Sequence, residues 1–204
     1  MNPWRGTNRK EGGGGLINQC HHQLDFVVWL LGLPVSVEAH LKTVNRAVNG
    51  ENDVLAIFHY PDFDFVFTAS LHDLKGINFL DVSGDQGRLN IEKTAMTAYF
   101  HEDELLANKE AKLYGGVAST EKKYVYGAKN LLEDKTYGQQ LHSLKAFVSQ
   151  IEGKGKELAT LEDGLKDVEL LNAIYFSAWT KKEVTIPVDE DAYVKALEER
   201  AKQD

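Results

Sequence analysis

From Leu16 the apolar positions Ile17, Cys20, Leu24, Val27 and Leu31 recur at spacings of three and four, the repeat of one helical face. Gly32 and Pro34 close that helix, glycine by tolerating a left-handed cap and proline by being unable to continue the hydrogen-bond ladder. The period then drops to two. Val35, Val37, Ala39 and Leu41 alternate with Ser36, Glu38, His40 and Lys42, as in a strand with one buried face. Strand-like runs follow at Val54–Tyr60, Phe63–Leu71, Ile77–Ser83, Arg88–Ile91 and Ala95–Phe100. Turns are expected at Asn49-Gly50, Pro61-Asp62, Lys75-Gly76 and Gly84-Asp85-Gln86-Gly87. Such short connections imply antiparallel pairing, because a parallel crossover takes about a dozen residues or more. A meander of five or six strands is expected.

Asp103–Thr136 is irregular in pattern, with one further strand expected around Lys122–Tyr126. Two amphipathic helices are expected next. Gln139–Glu152 carries Leu141, Leu144, Phe147, Val148 and Ile151, and Leu161–Trp179 carries Leu165, Val168, Leu171, Ile174 and Tyr175. Val184–Val188 reads as a short strand that Pro187 places at a sheet edge. The expected organisation is an arm with a glycine-rich loop at 1–15, an α+β domain at 16–188 and a charged helical tail at 189–204. Its fold class is α+β, a large, mostly antiparallel β-sheet flanked by α-helices. Phe63–Leu71 and Ile77–Ser83 are apolar on both faces, through Phe65 with Val66 and Phe79 with Leu80. If helices cover one face, the other should pair with a second copy of the chain, giving a sheet-mediated dimer or tetramer.

Composition narrows the function. With 43% hydrophobic and 26% charged residues among 204, the chain is globular rather than disordered or fibrous. A net charge of −8 opposes the phosphates of nucleic acid and the anionic face of a membrane, so neither partner is expected. Cys20 stands alone and makes no internal disulfide, which suits the cytoplasm. The uncharged run Phe26–Val37 is too short to span a bilayer, and the first fifteen residues lack the apolar core of a signal peptide.

Candidate chemistry concentrates between Glu11 and Asp25. Glycines before a helix leave backbone N–H groups for an anion or hydroxyl at the positive end of the helix dipole, although such a run also serves as a plain flexible joint. No strand precedes Gly12, which excludes a dinucleotide fingerprint there. Asn18, His22, Asp25 and Trp29 form a stripe at spacings of four, three and four, while His21 follows the apolar line of Ile17 and Leu24. A histidine exchanges protons near neutrality, and a neighbouring polar group fixes its tautomer. Spacing alone leaves either His21 or His22 to pair with Asp25, and a structural histidine held by that aspartate is the competing reading. The helix phase favours His22 as the outward one. Two adjacent histidines without a third ligand do not make a zinc site.

Three stretches together resemble the C-terminal half of the Gfo/Idh/MocA oxidoreductases, the glucose-fructose oxidoreductase and inositol dehydrogenase group. They are Trp4-Arg5-Gly6 with the glycine run, Leu16-Ile-Asn-Gln-Cys-His-His-Gln-Leu-Asp25, and Trp29-Leu-Leu-Gly-Leu-Pro-Val-Ser-Val37. Val82-Ser-Gly-Asp-Gln-Gly-Arg-Leu-Asn90, Ala173-Ile-Tyr-Phe-Ser-Ala178 and Val184-Thr-Ile-Pro187 extend the resemblance. It implies a parent enzyme whose N-terminal Rossmann domain binds NAD or NADP and carries a catalytic lysine in a Glu-Lys-Pro motif. It also implies that His22 is the catalytic histidine and that Asn18 stands where the family has an aspartate. Trp4, Arg5, Gly14, Gly15, Asn18, Gln19 and His22 would contact a sugar, polyol or amino-sugar substrate, with Asp25 behind His22. Eleven residues before the glycine run leave no room for the nucleotide half. On this reading the chain binds no cofactor itself, is inactive alone, and relies on a Rossmann-domain partner. The rival expectation is a stand-alone ligand-binding or dimerisation module without redox activity.

Overall fold

The computed structural model describes residues 5–45, 49–84, 87–92, 95–100, 122–127, 138–155 and 159–203, with side chains left aside at 122–127, 138 and 139. In chain order, α1 is Asn8–Glu11, a π-helical turn spans Leu16–Cys20, and α2 is His21–Leu31. Strands β1 Ser36–Lys42, β2 Asp53–His59, β3 Asp64–Ser70, β4 Phe79–Gly84, β5 Gly87–Glu92, β6 Ala95–Phe100 and β7 Lys122–Gly127 follow. Helix α3 Gly138–Ile151, helix α4 Leu161–Thr180, strand β8 Val184–Thr185 and helix α5 Glu190–Ala201 complete the described elements. The α+β class is as expected. The single large sheet is not: the strands form two four-stranded sheets, β3-β2-β1-β8 and β4-β5-β6-β7, antiparallel throughout. The chain falls into two compact units, Met1–Leu74 with Glu157–Asp204 and Lys75–Lys156.

In the first unit, the alternation read from the sequence sets the buried face. Val37 and Ala39 of β1, Val54, Ala56 and Phe58 of β2, and Phe67 of β3 are buried with Leu24, Val27 and Val28 of α2 and Leu170, Leu171, Ala173, Ile174 and Tyr175 of α4. Phe58 stacks on Phe65 at 5.7 Å and on Phe67 at 6.0 Å between centroids. Ser177 Oγ accepts the Ala39 N–H at 2.9 Å and donates to the Lys182 carbonyl at 2.6 Å, so the hydroxyl on α4 ties helix to strand without an orphan. Thr160 and Asp163 form a capping box at the start of α4, and Gly32, at φ 76°, caps α2 where expected. Strand β8 lies at the sheet edge, beside Pro187.

Both ends of the chain are more structured than their composition suggests. The arm contains α1, which packs on α5, and Gly50 N–H donates to the Gly6 carbonyl at 2.7 Å. The tail is held by Tyr193, whose ring stacks on Trp179 at 5.7 Å and meets Phe176 edge-on at 6.3 Å. These aromatic contacts are invisible in the charge pattern that defines the tail.

The glycine run is packed. A Cβ on Gly13 would lie 1.9 Å from Tyr175 Oη, and one on Gly14 would lie 2.2 Å from the Glu51 carbonyl oxygen. The second neighbour is backbone and cannot swing aside. Gly14→Ala is therefore expected to lose about 3 kcal/mol of stability, the upper end for an overpacked core, as a lowered urea midpoint with an unchanged slope.

In the second unit, Gly84 opposite Gly87 closes the β4-β5 hairpin, and the extra strand expected near Lys122 is β7. The remainder of Asp103–Thr136 lies outside the described residues. Helix α3 forms where the period predicts, yet Leu141, Leu144, Phe147, Val148 and Ile151 are exposed. Amphipathic spacing specifies a helix and its face, and leaves the partner of that face undetermined.

Candidate functional site

The π turn at Leu16–Cys20 replaces the first turn of the expected α-helix. Its i→i+5 bonding takes up one residue more than an α turn, so the spacing of four between Asn18 and His22 does not measure one regular turn. The neighbours of Asn18 are local instead. Its Nδ2 donates to Glu11 Oε1 at 2.7 Å, its Oδ1 accepts from Gln19 Nε2 at 2.6 Å, and Glu11 Oε2 also accepts the Gly6 N–H. Glu11 thus anchors the polar pair Asn18–Gln19 at the mouth of the helix. The sequence reading missed that role, because Glu11 lies within the polar arm and its spacing to Asn18 matches no regular period.

The Gly14 and Gly15 N–H groups, expected to face a substrate, donate within the chain to Glu51. Gly14 N–H donates to both Glu51 carboxylate oxygens at 2.9 and 3.0 Å, Leu16 N–H donates to Oε1 at 2.8 Å, and Gly15 N–H donates to the Glu51 carbonyl at 2.7 Å. Tyr175 Oη donates a third bond to Oε1 at 2.9 Å. A buried carboxylate, 6% exposed, occupies the anion position that the helix N-terminus offers. Burial pushes the Glu51 carboxyl up, opposed by the hydrogen bonds from Leu16, Tyr175 and Gly14. Burial, with Glu51 nearby, raises the Cys20 thiol to about 11, which leaves no thiolate nucleophile near neutrality.

The two histidines differ in exposure. His22 is exposed, whereas His21 is half-buried with its Nδ1 enclosed, and the rings lie 3.9 Å apart. Asp25 is exposed one turn further on. From α4, Asp167 interacts electrostatically with His21, His22 and Asp25. Sequence inspection gave Asp167 no weight, since it falls beside the apolar line of its helix. Arg5 is exposed, and Trp4 lies outside the described residues. Among the described residues, no three His, Cys, Asp or Glu side chains gather as a metal site, and no helix is long and apolar enough to cross a membrane.

In the second unit, Ser83, Arg88, Asn90, Glu92, Thr97 and Tyr99 line a groove of about 740 Å³ on one sheet face. Arg88 pairs with Asp81 through one edge of its guanidinium, with Nε 2.8 Å from Oδ1 and Nη2 on Oδ2, which offsets its charge toward an anion in the groove.

Residues 2–186 match the model of the oxidoreductase family C-terminal alpha/beta domain. The chain belongs to the Gfo/Idh/MocA oxidoreductase family. A solved NAD-binding oxidoreductase from Klebsiella pneumoniae superposes with a TM-score of 0.72 at 20% identity, over 91% of this chain and 54% of that one. The WlbA dehydrogenase from Bordetella pertussis, solved with NADH and UDP-GlcNAcA, gives 0.63 at 19%, over 91% and 49%. Levoglucosan dehydrogenase, solved with NADH and levoglucosan, gives 0.68 at 17%, over 90% and 53%. The chain spans about half the length of these structures, and at such identities the likeness is one of fold. A search of curated proteins finds no match. The Gfo/Idh/MocA assignment rests on a match running from the arm to β8, which takes in the glycine run, both histidines and the Ala173–Ala178 segment of α4.

Proposed function

We propose that this Gfo/Idh/MocA domain is the substrate-binding and oligomerising half of an NAD(P)-dependent dehydrogenase acting on a sugar, polyol or amino-sugar derivative. The observation that carries the proposal is the exposed His22 at the start of α2, close in sequence to the anchored pair Asn18–Gln19, on a fold shared with sugar dehydrogenases. On this reading no dinucleotide is placed on the glycine run, since the Gly14 and Gly15 N–H groups donate to Glu51. In this proposal a nucleotide-binding domain holds the cofactor, and the nicotinamide, when bound, supplies the hydride acceptor. This chain handles the rest of the substrate. His22 takes the hydroxyl proton at its ring nitrogen, while Asn18 and Gln19 orient neighbouring hydroxyls through whatever amide capacity Glu11 leaves open. Asparagine in place of a carboxylate puts the proton step on the histidine. A cytoplasmic location belongs to the same proposal, supported by the lone buried Cys20.

The test joins the chain to a Gfo/Idh/MocA nucleotide-binding domain and follows NADH formation with polyols, anhydrosugars and nucleotide-linked sugar acids. Turnover of at least one class supports the reading. Absence of turnover with all three, from a folded fusion that binds NADH, overturns it.

Oligomerisation has its own support. On the outer face of the first sheet, Leu55 and Val66 are 43% and 60% exposed, and in the second unit Phe79 is 62% exposed. Apolar side chains at such exposure on a sheet mark an interface. Light scattering at tens of micromolar is expected to give a dimer or larger, and Val66→Lys is expected to lower the mass. A monomer for the unaltered chain would count against the sheet-mediated assembly.

A further inference from the structure

Glu11, Asn18 and Gln19 are linked side chain to side chain, and the chemistry of the first fixes the direction of the rest. Glu11 ends α1, where Gly12 at φ 86° turns the backbone. Both of its carboxylate oxygens are engaged: Oε2 accepts the Gly6 N–H, and Oε1 accepts Asn18 Nδ2 at 2.7 Å. Gly6 is anchored in turn through its carbonyl, which accepts the Gly50 N–H at 2.7 Å, so the carboxylate has a fixed seat. An ionised carboxylate accepts and has no proton to give, so the Asn18 amide must turn its nitrogen to Glu11 and its oxygen away. That oxygen accepts Gln19 Nε2 at 2.6 Å. With Nε2 committed to Asn18, the opposite branch of the planar Gln19 amide, Oε1, becomes the outer end, on an exposed side chain. The reverse order would set the Asn18 carbonyl against a carboxylate, acceptor facing acceptor, and would forfeit a charge-assisted bond.

We propose that Glu11 is a positioning residue that fixes the outer end of this amide chain as an acceptor, so that the subsite at Gln19 takes a substrate group that donates, a hydroxyl or an amine, and disfavours one that only accepts, such as a carboxylate. The inference rests on the proposed substrate-binding role of Asn18 and Gln19, and it narrows the substrate at that point to a polyol or amino-sugar group over a sugar acid. A hydroxyl gives its proton to Oε1 and keeps lone pairs for the second Gln19 Nε2 proton, and an ammonium group donates without accepting. A carboxylate has no proton for Oε1, and the Glu11 charge behind the two amides repels it. Arg9 and Lys10, next to Glu11 on α1, are exposed cations that alter the net charge of the arm but not the atom on which the chain ends.

The test uses the chain alone and needs no turnover. Side-chain amide resonances of Asn18 and Gln19, assigned through Asn18→Ala and Gln19→Met, are followed by NMR during titration with methyl glucoside and with its analogues carrying fluorine in place of one hydroxyl at a time. Fluorine cannot donate. At one ring position or more, the fluoro analogue is expected to bind about tenfold more weakly than the glucoside, the effect of one lost hydrogen bond, while the amino analogue at the same position keeps the affinity. In Glu11→Gln the residue facing Asn18 has a proton to give, the chain is free to end on Gln19 Nε2, and the tenfold penalty should largely disappear. Gln19→Met, a change at an exposed position, should remove the penalty as well, read at the Asn18 amide, and serves if Glu11→Gln does not fold. Lys10→Gln changes the charge of the arm by one unit and should leave the penalty in place. The proposal is overturned if neither amide responds to the glucoside, if no fluoro analogue is penalised, if the penalty survives in a folded Glu11→Gln or in Gln19→Met, or if Lys10→Gln removes it too. Turnover of the fusion tests the dehydrogenase reading separately. An active fusion without the fluorine penalty would remove Glu11 from the account, and an inactive fusion with the penalty would leave a sugar subsite without the redox chemistry.

Discussion

Replacing Glu51 with alanine is expected to remove about 3 to 5 kcal/mol of stability, a large share of the ~5–15 kcal/mol that holds a domain of this size. The reason is arithmetic on donors. Glu51 accepts from Gly14 N–H, Leu16 N–H and Tyr175 Oη, all buried, and the truncation strands each of them at about 1–3 kcal/mol per unpaired group. Glu51→Gln separates hydrogen bonding from charge. Oε1 alone accepts from all three donors, so a glutamine whose amide oxygen sits there keeps them and is expected to cost about 1 kcal/mol. The pH dependence has a definite sign. Burial raises the folded carboxyl above its unfolded value of about 4.3, so the contribution of Glu51 is fullest below that value and declines as pH rises through the folded value. The stability advantage of the native residue over Glu51→Gln should shrink as pH rises above about 4. Urea unfolding at a series of pH values measures both effects. An alanine variant as stable as the native chain would mean that water replaces the carboxylate without cost.

His22→Asn in the fused enzyme is expected to lower kcat by ~10² to 10⁴, the range for losing a positioned general base, with KM and the melting temperature little changed. His21→Asn should do the reverse. Its ring is half-buried with Nδ1 enclosed, so its loss disturbs packing between α2 and α4 and is expected to cost about 1–2 kcal/mol while most of the activity remains. Steady-state kinetics and thermal melts on the two variants decide the assignment. If the phenotypes were exchanged, His21 would be the residue facing the substrate.

Much of the architecture was legible because hydrophobic period is a local property. Each of the first six strand-like runs forms a strand, the helices near Gln139 and Leu161 form, Gly32 caps α2, and the strand before Pro187 lies at a sheet edge. The split of the sheet was not legible. Lys75-Gly76 reads as a hairpin turn between neighbouring strands, yet β3 ends at Ser70, Leu71 N–H goes to the Asn52 carbonyl at 2.9 Å, and β4 opens a second sheet. A turn residue reports that the chain reverses and carries no information about which edge the next strand will join.

The candidate site divides in the same way. The sequence by itself determined the family, through the order of the Trp4-Arg5-Gly6 arm, the glycine run and the stretches that follow it to Val37. What fills the glycine run was decided by tertiary structure alone. Glu51 lies 37 residues from Gly14 and 124 from Tyr175, and no periodicity links positions so far apart. A pattern of apolar positions specifies which face of an element is buried. Which polar group meets a buried donor there depends on the packing of the elements, and in this chain that packing set the Gly14 N–H on the carboxylate of Glu51 and the Gly15 N–H on its carbonyl.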